Sequence, residues 1–108
     1  MGETVEVKLC ALDELIDGGA RRFDVDGHRI AVVRIEDAVY AIGDRCTHQD
    51  ISLSEGEVHI EECQLECWKH GSTFSLKTGR PDTLPATKAV PVFEVRVDGG
   101  DVFLQVPA

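Results

Sequence analysis

Two short cysteine–histidine pairs carry the chemistry open to this sequence: Cys46-Thr47-His48 and Cys67-Trp68-Lys69-His70, with 18 residues between His48 and Cys67. Each pair offers one thiolate and one imidazole, a donor set suited to iron or zinc. Zinc accepts two cysteines and two histidines, but structural zinc sites usually place both cysteines in one clip and both histidines in the other. Here each clip is mixed. That pattern divides naturally over two sulfide-bridged irons, Cys46 and Cys67 on one and His48 and His70 on the other. A zinc-stabilised module stays open as the rival reading, and the mixed clips favour a [2Fe–2S] cluster, one per chain.

The remaining candidates are weaker. Cys10 lies in an apolar stretch and reads as a small buried hydrophobe. Cys63 stands between Glu62 and Gln64 without a histidine companion and reads as a strand or turn residue. His28 follows Asp26-Gly27 and is expected at the surface of a turn, while His59 falls on a predicted strand as a bonded or solvated side chain. Trp68, the one tryptophan, either shields or docks beside the site or packs beneath its loop. Gly71 permits close backbone approach after His70. Arg45 and Lys69 flank the ligands, where they tune charge, meet a partner or are simply solvated.

The elements that hold the clips read as β-structure. Residues 4–9 alternate as a strand, and 12–16 form about one helical turn stopped by Gly18-Gly19. Residues 22–25 and 29–35, joined at Asp26-Gly27, give a hairpin signal. Glu36-Asp37 turns the chain into a strand at 39–42. A second hairpin pairs 92–97 with 102–106 across Asp98-Gly99-Gly100-Asp101. Between the clips, 56–60 and 64–67 read as a strand pair. Short β-branched strands with Gly and Asp turns predict an all-β antiparallel sandwich. Both clips fall where strands run out, so the site is expected on loops over a rigid scaffold, in a small subdomain at about 43–74.

With 108 residues the chain is read as a single domain, too small for a cofactor domain beside a catalytic one. Twenty acidic against eleven basic residues give a formal charge of -9. That balance argues against nucleic acid or an anionic membrane as partner and suits brief docking on a basic patch. No apolar run is long enough to span a bilayer, and the N-terminal residues lack a secretory pattern, so the expected compartment is the cytoplasm. Reducing conditions there favour metal ligation over disulfides.

The two boxes, with Gly71-Ser72-Thr73-Phe74 after the second, resemble the C-x-H and C-x-x-H-G motifs of Rieske iron–sulfur proteins. The chain is most similar to the small soluble ferredoxins of bacterial ring-hydroxylating (biphenyl-type) dioxygenases, over nearly its whole length. The resemblance implies a Rieske-like sandwich with a small cluster-binding subdomain, and a proline-containing loop at Leu84-Pro85-Ala86-Thr87 covering the cluster. It implies Cys46, His48, Cys67 and His70 as ligands.

It also implies a one-electron carrier, expected to act as a monomer, between an NAD(P)H-dependent flavin reductase and a terminal non-haem iron oxygenase of aromatic rings. Similar Rieske proteins serve iron–sulfur assembly systems or act as nitrite reductase small subunits, so these clients stand as alternatives. Respiratory members carry a disulfide between the cluster loops. The corresponding positions here, Ile51 and Lys69, cannot form one. Phe74 replaces their tyrosine, which removes a donor toward sulfur and places the expected potential at about −150 mV rather than +300 mV. The potential is further expected to fall as pH rises through ionisation of the histidine ligands. An enzyme in its own right is not expected: only His28 and His59 remain beyond the ligands, and no dinucleotide-binding fingerprint appears.

Overall fold

Residues 30–33, Ile-Ala-Val-Val, break the in–out alternation of a strand with one wet face, and all four are fully buried. A strand with such a run must be covered on both sides. The computed structural model, which describes residues 4–44, 52–68, 71–81 and 88–107, shows how.

The strands are β1 (Thr4–Ala11), β2 (Ala20–Val25), β3 (His28–Ile35), β4 (Ala38–Gly43), β5 (Val58–His59), β6 (Gln64–Glu66), β7 (Thr73–Ser75), β8 (Val92–Phe93), β9 (Val95–Asp98) and β10 (Asp101–Pro107). They form three sheets of order β1-β10-β9, β2-β3-β4-β8 and β5-β6-β7, and every strand pairing among the described residues is antiparallel. The central sheet is buried on both faces. Ile30, Val32 and Ala41 pack with Cys10, Val102, Leu104 and Val106 of the first sheet. Ala31, Val33 and Ile42 pack instead with Leu53, Leu65, Cys67, Phe74 and Leu76 on the side of the small sheet.

Both predicted hairpins form. Asp26 and Gly27 take positive φ (48° and 81°), the handedness that matches the twist of the flanking strands, with Val25 opposite His28. Gly99 and Gly100 do the same between Asp98 and Asp101. The expected helical turn is a short 3-10 turn, Leu12–Glu14, whose preceding amide at Ala11 donates to the Glu14 carboxylate at 2.7 Å.

Three details depart from the sequence reading. The run 92–97 is two strands: β8 pairs with β4 and β9 with β10. The change of sheet falls at Glu94, whose carbonyl accepts the Gln105 amide at 2.9 Å. The small sheet has a third strand, β7, paired with β6, that the sequence pattern does not announce. His28 is half-buried rather than a surface turn residue, set edge-on to Phe93 with ring centroids 5.9 Å apart.

Candidate metal centre

β4 ends at Gly43, and the next residue, Asp44, is fully buried. A buried carboxylate is costly unless its lone pairs are satisfied. Asp44 receives the Ser52 hydroxyl on Oδ2 and the Ser54 amide on Oδ1 at 2.7 Å. Its own amide donates to the Arg29 carbonyl at 2.9 Å, and its carbonyl accepts the Leu53 amide at 2.7 Å. Arg22 Nε lies 3.8 Å from Oδ2. One residue therefore holds both ends of the segment 45–51. Cys46 and His48 lie in that segment, outside the described residues, as do Arg45 and Ile51.

The second clip starts where β6 ends. Cys67 donates its amide to the Ser72 carbonyl at 2.7 Å and accepts the Gly71 amide at 2.9 Å, so the chain turns back within a few residues. Gly71 takes a positive φ of 76°, the conformation glycine accepts without strain. Lys69 and His70 lie outside the described residues. Cys67 is fully buried among Leu53, Leu65 and Phe74. Its thiol has no hydrogen-bond partner among the described residues. A soft, buried sulfur of this kind fits a thiophilic metal, so the donor chemistry here suits an iron–sulfur group.

The described segments that flank the two clips meet at Gly56. A Cβ on that residue would fall 1.7 Å from the Glu66 carbonyl oxygen, one residue before Cys67. Only glycine lets the 3-10 turn Leu53–Glu55, at the far end of the first clip, lie against β6. A third segment, 82–87, which contains the Leu84-Pro85 loop, also lies outside the described residues. Its near end is held by a Phe74–Pro81 bridge and its far end by Val90 N–H to the Gly79 carbonyl at 2.8 Å. Gly43 donates to the Pro91 carbonyl at 2.8 Å, tying that end to β4.

The surroundings are acidic: Glu55, Glu57, Glu61, Glu62 and Glu66 occur between residues 47 and 67, with no lysine or arginine among them. His59 meets that charge. Its Nε2 sits 2.8 Å from Glu66 and 3.6 Å from Glu57. The hydrogen bond to Glu66 raises its pKa above the ordinary histidine value, burial opposes the rise, and the charges of Glu57, Glu66 and Glu62 add to it. Both histidines outside the expected ligand set thus have structural contacts.

The spare cysteines do too. Cys10 is buried, which pushes its thiol pKa up. Cys63 sits at a positive φ of 56° in the turn before β6 and hydrogen-bonds Tyr40, which raises the phenol's pKa. Trp68, 55% exposed, does not pack beneath the loop. Phe74 is buried in the core. The sequence reading passed over Asp44, Ser52, Ser54 and Gly56 as functional positions. The available signal was an aspartate two residues before Cys46 and a Ser-x-Ser shortly after the clip.

Comparison with known proteins follows the same lines. The Rieske [2Fe-2S] domain family profile matches residues 5–94. The 3-phenylpropionate/cinnamic acid dioxygenase ferredoxin subunit of Escherichia coli K12 is 38% identical over 101 residues, 94% of this chain and 93% of that one. Among solved structures, the ferredoxin of carbazole 1,9a-dioxygenase from Nocardioides aromaticivorans IC177 superposes with TM-score 0.91 at 38% identity, covering 96% of this chain and 99% of that chain. A ferredoxin solved in complex with the carbazole 1,9a-dioxygenase oxygenase gives TM-score 0.85 at 39% identity, covering 93% and 92%. A Mycobacterium tuberculosis protein assigned as an NADH-dependent nitrite reductase small subunit gives TM-score 0.86 at 26% identity, covering 98% of each.

Proposed function

This chain belongs to the Rieske [2Fe–2S] domain family, and from that premise we propose that it carries single electrons from an NAD(P)H-dependent flavin reductase to a terminal non-haem iron dioxygenase of aromatic rings. Membership sets the cofactor at one [2Fe–2S] cluster per chain. The observation that carries the proposal is the near-complete mutual coverage with dioxygenase ferredoxin subunits, together with a buried thiol at Cys67 that lacks a described partner. When bound, the cluster takes up and releases one electron at a time.

In this reading Cys46, His48, Cys67 and His70 hold the cluster, within a cluster-binding subdomain at about 43–74 of a single domain. Cys67 keeps its side of the centre out of water, and Trp68 offers an exposed aromatic face beside it. The surplus of carboxylates speeds encounter with a basic docking surface and weakens as salt rises. The reaction on the aromatic ring belongs to the oxygenase. Among the described residues, no helix is long and apolar enough to cross a membrane, and we place the carrier in the cytoplasm, where its NAD(P)H-fed reductase works. A nitrite reductase small subunit is the second reading, favoured by the likeness in fold to the mycobacterial protein.

Reconstitution separates the two. The holoprotein is expected to be reduced by a flavin reductase with NADH and reoxidised in stopped flow by a ring-hydroxylating oxygenase with its substrate bound. A reduced protein that no such oxygenase reoxidises, but that supports nitrite reduction, selects the second reading.

A further inference from the structure

Resting on the Rieske reading, we propose that Asp44 is the positioning residue of the first cluster loop, a buried carboxylate that fixes the span across which Cys46 and His48 are presented. The two clips are closed by different means. Three residues separate Cys67 from Gly71, and backbone bonds close that turn, Cys67 N–H to the Ser72 carbonyl and Gly71 N–H to the Cys67 carbonyl. Seven residues separate Asp44 from Ser52, and the longer loop carries the larger closure entropy. Its closure combines one backbone bond, the Leu53 amide on the Asp44 carbonyl, with the Ser52 and Ser54 bonds to the Asp44 carboxylate.

The arrangement around Asp44 has two sides. From the central sheet, the Arg29 carbonyl accepts a hydrogen bond from the Asp44 amide, and Arg22 places Nε 3.8 Å from Oδ2 while also bonding Asp24. From the far end of the loop come the Ser52 hydroxyl, the Leu53 amide and the Ser54 amide. Ser52 Oγ further meets Ser54 Oγ at 2.9 Å, so Ser52 and Ser54 form one unit around the carboxylate while Leu53 holds the Asp44 carbonyl. The loop's exit is thereby locked to its entry, and its entry to β2 and β3.

A buried ion of this kind gives little net stability, because desolvation offsets the attraction. Charge-assisted hydrogen bonds are short and directional, however, and they set geometry where an apolar side chain would only fill space. Ligands of a metal centre need that precision, and the groups that orient them matter nearly as much as the ligands themselves. Asp44 acts through the loop.

The test uses the holoprotein and three variants, Asp44→Asn, Ser52→Ala and Ser52→Thr, with Leu104→Ala in the distant sandwich core as a control for lost stability. Two quantities are followed: release of iron to a chelator, and the width of the g-features in the paramagnetic resonance spectrum of the reduced protein. Asp44→Asn and Ser52→Ala are expected to release iron about tenfold faster or more and to broaden the spectrum. Ser52→Thr, which keeps the hydroxyl, is expected to restore both, and Leu104→Ala to melt earlier with an unchanged spectrum.

Should Asp44→Asn not accumulate as holoprotein, the Ser52 pair decides. Wild-type release and line width in Ser52→Ala, or equal behaviour of the alanine and threonine variants, would overturn the role given to Asp44. Absence of a mixed-ligand iron–sulfur spectrum in the unmodified protein is a different failure, visible before any variant is made, and it strikes the Rieske reading itself.

Discussion

The strands of the two larger sheets and those of the small sheet near the candidate centre hold together on different terms. β1 and β10 match through seven register pairs, and β2–β3 and β3–β4 through six each. β5–β6 matches through two and β6–β7 through three. Long ladders with aliphatic faces keep their register when any one contact is lost, even where the loss costs stability. The small sheet depends on single contacts: Gly56 against the Glu66 carbonyl, Cys67 within its turn, and Phe74 in the core between the layers. The scaffold is redundant and the site is not. Binding of the cluster supplies part of what the short ladders lack, as metal binding does in other small modules.

The largest effect should come from the thiols. Cys67→Ser keeps the size of the side chain but removes the soft donor, and it is expected to abolish the cluster, read as loss of visible absorption and of iron. Cys63→Ser, at the Tyr40-bonded thiol a few residues away, should retain both. Equal loss from the two variants would erase the distinction between a ligand and a packed turn residue.

Backbone approach comes next. Gly56→Ala forces a carbon into the Glu66 carbonyl and is expected to cost about 3 kcal/mol in chemical denaturation. Leu104→Ala in the larger sandwich should cost a similar amount, about 3 kcal/mol, by opening a cavity. The two should differ in the cluster: Gly56→Ala sheds iron faster, and Leu104→Ala does not. The pair tests whether stability and site integrity can be separated.

The smallest effect concerns His59. Glu66 raises its pKa in the folded chain, so folding favours the protonated ring. The stabilisation is therefore complete below the unfolded value of about 6.5 and disappears as pH climbs through the higher folded value. Partial exposure and screening hold it to about 0.5 kcal/mol. Melting curves of wild type and His59→Asn should differ most near pH 5.5 and converge by about pH 9. A gap that widens with pH would contradict the pairing.

Much of this was legible in the sequence because it is local. Asp26-Gly27 and Gly99-Gly100 turn the chain where their neighbours require, and alternating or β-branched runs name the long strands. What escaped is what depends on contacts far along the chain. Residues 92–97 look like one strand, and only pairing with two different sheets reveals the break at Glu94. Three residues, Thr73–Ser75, carry too little pattern to announce β7. The clips were visible as ligand types at a spacing. Asp44 draws no notice in the sequence, since its importance lies in Ser52 and Ser54 returning to it. Gly56 reads as the first residue of a strand, since nothing local shows the Glu66 carbonyl pressed against it.

The central claim, a two-iron cluster held by two thiolates and two imidazoles, is tested most directly by metal and sulfide analysis of the purified protein joined to the resonance spectrum of its reduced form. The account predicts two irons and two acid-labile sulfides per chain, with the signal of a mixed nitrogen- and sulfur-ligated cluster. One zinc per chain with no labile sulfide and no signal would contradict it.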